Sequence, residues 1–201
     1  MISPMKKLFF IIILILSFIT PSQADDIRDF QIEGLSVGDS LLQYFTKKQL
    51  ENNKSPAQYP NNKYTILWLK KLTSNFKTYD ALTIAYKTYD DKYHVHSIIG
   101  SVYFNEIKEC LKKMREIDKE LSNTFPNANR IFVEKQKHSY DKTGKSTLTG
   151  SVFILKNGDD VQNTCYDWSK TLQKKENRED ELGVSLSAKS FTDWVQNEAY
   201  R

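Results

Sequence analysis

The sequence predicts an α+β fold: an antiparallel sheet built from hairpins, with one long amphipathic helix and short N- and C-terminal helices packed on it. Three observations carry this reading. Seven β-rich runs are separated mostly by turns too short for the crossover that parallel strands need. One strongly helical run divides the first three from the last four, with Ile107, Cys110, Leu111, Met114, Ile117 and Leu121 recurring at spacings of three and four. Turn signals, of which Asn157-Gly158 is the strongest, stand where hairpins need them.

The elements follow in order. Ser36 with Asp39 has capping-box spacing and predicts a helix starting near Val37; Thr46 with Gln49 repeats it and predicts a second through Asn53. Pro56, Pro60 and two Asn mark residues 55–63 as a loop. Strands are expected over 64–70, 79–88 and 93–104, the last two linked tightly through Asp90-Asp91. Alternation places Val95, Ile99 and Tyr103 on one face of the third strand, and His94, His96, Ile98 and Val102 on the other. The long helix starts after Asn105 and ends at Pro126. Strands over 130–137, 147–156, 161–168 and 182–188 come next, with 174–181 a charged loop. Ser190 and Asp193 cap a final short helix carrying Phe191, Trp194 and Val195.

Residues 1–24 read as a secretory signal peptide. Lys6 and Lys7 form its positive region, residues 8–19 its apolar core, and Ser22-Gln23-Ala24 its cleavage site. The apolar core is shorter than the roughly 20 residues that span a membrane. No Cys lies near the cut, which excludes lipid anchoring there. The expected mature chain, 25–201, is a single α+β domain with no membrane span. Removing Lys6 and Lys7 from 29 basic groups leaves 27 against 25 acidic ones, a net charge of +2. That balance excludes a dedicated nucleic-acid binder. Export also removes ATP and nicotinamide from the expected ligands, and no cofactor is expected. The 24 Lys, 16 Ile and 13 Asn have A/T-rich codons and indicate a low-GC genome, so surface Lys clusters carry little functional weight.

Cys110 and Cys165 are the only cysteines. In an oxidising compartment they predict one disulfide, stapling the long helix to a strand. Closing a loop of about 55 residues contributes roughly 4 kcal/mol in the chain-entropy model.

Several strings suggest chemistry. Gly34-Leu35-Ser36-Val37-Gly38 satisfies G-x-S-x-G, but too few residues precede it for the strands a nucleophile elbow needs. Gly144-Lys145-Ser146 lacks the first glycine of a P-loop, since residue 139 is Ser. Gly38-Asp39-Ser40-Leu41 resembles the GDSL (SGNH) hydrolases, exported esterases whose nucleophilic serine sits near the N-terminus in this tetrapeptide. The resemblance implies Ser40 as nucleophile. The family's Asp-x-x-His pair has a counterpart only in mid-chain, at Asp91-Lys92-Tyr93-His94, and its Gly-x-Asn-Asp block is absent. A hydrolase is therefore the alternative reading, and it requires a base beside Ser40.

His94 and His96, two apart on a strand, are candidate zinc or copper ligands. A two-residue turn would set Lys87 opposite His94 and Ala85 opposite His96. That neighbouring ammonium favours solvent-facing histidines, and no metal site is expected. Among the 25 aromatic residues, Trp68, Tyr166, Trp168 and Trp194 are candidates for a binding platform, with the packed core as their ordinary use.

Jointly, Asp29-Phe30-Gln31-Ile32-Glu33-Gly34, Gly38-Asp39-Ser40-Leu41-Leu42, Ile107-Lys108-Glu109-Cys110, residues 141–147 and Cys165-Tyr166-Asp167-Trp168-Ser169 resemble a family of small exported proteins from marine low-GC bacteria. That resemblance implies export and a periplasmic location, with extracellular release the alternative, and assigns no activity. The first half is loosely similar to small envelope binding modules such as outer-membrane assembly lipoproteins and β-lactamase-inhibitor domains. The expectation is a non-catalytic binding or interaction protein of the cell envelope. Its partner would be an envelope protein or a small ligand.

Overall fold

Seven strands, β1 (Tyr64–Lys70), β2 (Ala81–Lys87), β3 (Val95–Phe104), β4 (Asn129–Lys137), β5 (Thr147–Ile154), β6 (Asp160–Asp167) and β7 (Asp180–Ser187), form one antiparallel sheet in the computed structural model. The structure describes residues 26–70 and 76–201, so the signal peptide expected over 1–24 lies outside the described residues. The sheet order is β1-β2-β3-β7-β6-β5-β4. Two three-stranded meanders thus meet across β7, which pairs Gly100 with Val184 on one side and Asn163 with Val184 on the other. Among the described residues four α-helices, α1 (Lys47–Asn52), α2 (Ile107–Thr124), α3 (Lys170–Glu176) and α4 (Lys189–Asn197), complete the α+β architecture.

Strand alternation gives the sheet two unlike faces. One carries Leu67, Leu82, Ile84, Ile98 and Leu186, all buried in the main core with Ile27, Leu35, Leu41 and Leu50 of the N-terminal segment. Fully burying each such side chain stabilises the fold by roughly 1.5–3 kcal/mol. α2 covers the other end of this face, setting Cys110 and Met114 against Cys165, Leu182 and Val184. The Cys110–Cys165 disulfide forms there, with Cα atoms 6.0 Å apart. Asn163 Nδ2 donates to the Met114 carbonyl at 2.8 Å, adding a polar staple beside the covalent one.

The opposite face is only partly covered. α4 lies on it, with Trp194 packed 4.8 Å from Tyr64 and flanked by Phe191 and Tyr59. Helices therefore sit on both faces, because Phe191 and Trp194 match the Tyr64 side of β1.

Three local expectations are corrected. No helix starts at Val37. Gly38 is left-handed (φ +93°) and its N–H donates to Val95 O, while Leu41 N–H donates to Tyr93 O, so the chain runs extended beside the start of β3. Asp39 accepts from Ser36 N–H, as the spacing suggests, yet closes a turn and not a helix. Only a 3₁₀ turn, Leu41–Gln43, follows before α1, whose Thr46–Gln49 capping box is present.

Second, the β2–β3 register pairs Tyr86 with Val95 and Ala85 with Ser97. His96 is an extra, bulged residue, so Val95 and Ile98 share the core face despite their odd spacing. Ala85 is therefore opposite Ser97 and not His96; the paired register ends at Tyr86–Val95, Lys87 pairs on its other side with Tyr64, and residues 88–94 form a longer loop. Third, α3 occupies part of the expected 174–181 loop and ends at Asn177 in the left-handed conformation (φ +51°).

Candidate functional site

The uncovered half of the second face forms the floor of a groove. Across β3 and β7 it presents small polar residues, Ser97, Ser101, Gly183, Ser185 and Ser187, where a covered sheet would present large apolar ones. α4 and Tyr200 wall one side; the residue 138–142 turn and the segment after α3 wall the other. One cavity along it is about 760 Å³, within the usual range for small-molecule sites. It merges, through Thr83, Ser101, Trp168, Arg178 and Glu181, with a second of about 730 Å³.

Aromatic side chains from separate strands ring this space. Trp68 on β1 is 38% exposed, the most open of the three tryptophans, and lies beside Tyr103 of β3 in the cavity lining. Lys70 Nζ sits 4.3 Å from the Trp68 ring centroid. Tyr166 of β6 stacks on Trp168 with ring planes 11° apart. Burial pushes the Tyr103 and Tyr166 hydroxyls up to about 12, so both stay protonated and able to donate.

Arg178 is held rigidly at the rim. Its guanidinium lies 4.5 Å from the Trp168 ring and 4.7 Å from the Tyr140 ring. Its Nε–H donates to Glu176 at 2.7 Å. On the floor, Glu181 accepts from Ser101 Oγ at 2.5 Å. Burial raises the Glu181 carboxyl above its ordinary range, with the Ser101 hydrogen bond and the Arg178 charge opposing. Thus a fixed donor fork and a half-buried carboxylate share one groove.

The turn that carries Tyr140 is built by Asp141. Its Oδ1 accepts from Thr143 N–H and Oγ–H, and its Oδ2 from Ser146 N–H and Oγ–H. Ser146 Oγ in turn accepts from Ser169 N–H, tying the turn to the start of α3. These bonds hold the Asp141 carboxyl far below its usual range. His138 packs 4.7 Å from Trp168 behind this turn, and burial, then the Arg178 charge, lowers its pKa.

The four aromatic candidates separate. Trp68, Tyr166 and Trp168 line the groove, whereas Trp194 is 1% exposed inside the α4 cluster and cannot touch a ligand there. Arg178, Glu181, Ser101, Tyr103 and His138 were not among the candidates. Glu181 had a signal, an acid opening a strand of small and apolar residues; Arg178, within an apparent charged loop, had none.

A second cluster lies apart from the groove. Ser40 bridges His94 as a directly opposed, non-hydrogen-bonded pair, flanked by Leu41 N–H to Tyr93 O and Val95 N–H to Asp39 O. His94 Nδ1 is 2.8 Å from Asp90 Oδ2, which also accepts from His94 N–H. Tyr93 between them is left-handed (φ +54°). Serine, histidine and aspartate are thus together, but Ser40 Oγ donates to Lys92 O at 2.6 Å. His96 lines the same cavity as His94, with its ring 5.2 Å from Tyr64 and its Nδ1 3.4 Å from Ser190 Oγ. Among the described residues no group of three or more His, Cys, Asp or Glu is placed to hold a metal ion, and no helix is long and apolar enough to cross a membrane.

No family model, curated protein or solved structure matches this chain. The disulfide fits an oxidising compartment outside the cytoplasm.

Proposed function

We propose that the chain is an exported, non-catalytic binding protein of the cell envelope, periplasmic in location, that holds a small ligand in the groove on the uncovered sheet face. The observation that carries this is the groove itself. A sheet face left open over Ser101 and Glu181 and walled by Trp68, Trp168 and Arg178 has exchanged core packing for a shaped polar cavity. Its groups are preorganised by contacts within the protein, which lowers the ordering cost of binding. The test mixes purified protein with a low-mass envelope extract, removes unbound material and weighs the complex by native mass spectrometry. The wild type is expected to retain an added mass, and Thr83→Trp, which fills the groove from β2, to lose it. Retention unchanged by Thr83→Trp removes the groove from the proposal.

A second reading, a serine hydrolase using Ser40, is favoured by the Ser40–His94–Asp90 juxtaposition. Catalysis would require the Ser40 proton to leave Lys92 O and reach the imidazole. Labelling by a fluorophosphonate probe that disappears in both Ser40→Ala and His94→Ala supports this reading; an unlabelled wild type removes it.

A further inference from the structure

Resting on the groove as the binding site, we infer that its ligand is a neutral oligosaccharide. Four features of the groove converge on that chemistry. Its charges interleave and nearly cancel, Lys70, Lys142 and Arg178 against Asp80, Glu176, Glu179 and Glu181. No single-sign field is present to select an ion. Donors and acceptors alternate along it: the Arg178 fork and the protonated Tyr166 hydroxyl offer hydrogens, while Glu181 and Asp80 accept them. A hydroxyl group both donates and accepts, so a ligand dense in hydroxyls satisfies both kinds without carrying charge.

The aromatic rings supply the apolar complement. Trp68 and Tyr140 are exposed, one lining each of the two merged cavities. Flat rings of this kind match the C–H-bearing faces of a pyranose, while the sugar's hydroxyls project sideways toward the polar groups. The groove is also elongated. It runs from Trp68 past Ser101 and Tyr166 to Tyr200 and the space beneath α4, room for several linked rings and not one.

An extended peptide is the main competitor, and the floor disfavours it. Peptides gain affinity by adding a strand to an open sheet edge through backbone hydrogen bonds. Here the floor is the face of β3, β7 and β6, whose ladders are already paired with one another. A peptide backbone would meet side chains alone.

The experiment titrates full-length mature protein with neutral tetrasaccharides of different linkage and, in parallel, with neutral and charged tetrapeptides. Calorimetry and tryptophan fluorescence are the readouts. At least one tetrasaccharide is expected to bind and to change Trp fluorescence. Trp68→Ala is expected to weaken binding about tenfold, a typical loss for one aromatic contact. Glu181→Gln is expected to weaken it several-fold, and Lys112→Ala on the outer side of α2 to leave it unchanged. Circular dichroism confirms that each variant folds. Binding of peptides alone, displaced by Thr83→Trp, overturns the oligosaccharide inference and leaves the groove intact as a site. Absence of sugar and peptide binding, with no mass retained from the envelope extract, overturns both.

Discussion

Breaking the Cys110–Cys165 bond measures how firmly α2 is tied to the back of the groove. The two cysteines are 55 residues apart. The chain-entropy relation then assigns the crosslink about 4 kcal/mol at 25 °C, before any native strain. With a urea m-value of about 2 kcal/mol/M, that is a midpoint shift of about 2 M. The assay is urea unfolding followed by circular dichroism, comparing oxidised wild type, wild type reduced under anaerobic conditions, and Cys110→Ala/Cys165→Ala. Reduction keeps both sulfurs in place against Met114, Leu182 and Val184, and so isolates the crosslink. The double alanine variant also loses their packing and is expected to fall further, by about 1–2 kcal/mol. Because Cys165 precedes Tyr166 on β6, loss of order should reach the groove floor early. A reduced protein whose midpoint moves by less than about 0.5 M refutes the reasoning, since the denatured chain would then not be freed by opening the loop.

Trp194→Ala empties the centre of the α4 cluster and is expected to cost about 3–5 kcal/mol, read as a fall in urea midpoint. Asp141→Ala removes the acceptor for four hydrogen bonds, and faster amide exchange at Thr143 and Ser146 with weakened ligand retention is the expected result. His96 and His138 both titrate below the ordinary value, chiefly through burial. At these two sites the unfolded chain therefore takes up protons first: their contribution to stability is flat above about pH 6.5 and falls as pH drops from there toward the folded values, while the raised Glu181 carboxyl contributes with the opposite sign. Urea midpoints at pH 7.5 and 5.5 check the sign, and His138→Phe should flatten part of the slope.

The strands were legible because apolar alternation and Gly or Asn turns are local signals, and β5 and β6 close around Asn157-Gly158 as their sequences imply. The α2 stripe was legible for the same reason, and its Cys110 pointed to the partner strand. What failed was decided by distant pairing. Ser36 and Asp39 have helix-cap spacing, but the backbone of residues 38–41 finds its hydrogen-bond partners in residues 93–95. The His96 bulge reverses the face of Val95, which no single strand reveals. The groove was half legible. Trp68, Tyr166 and Trp168 are conspicuous residues, but their convergence depends on β7 joining the two meanders. Glu181 and Arg178 acquire their roles only from that juxtaposition.

The three tryptophans offer the most direct measurement of groove occupancy. Trp68 and Trp168 line the groove, and Trp194, a residue of α4, is buried against Tyr64 outside the groove lining. Their indole N–H resonances in a ¹⁵N-labelled sample form three built-in reporters during titration with the retained ligand. Binding in the groove shifts the Trp68 and Trp168 signals and leaves Trp194 in place. A ligand that binds while Trp68 and Trp168 stay fixed contradicts the groove as the site of function.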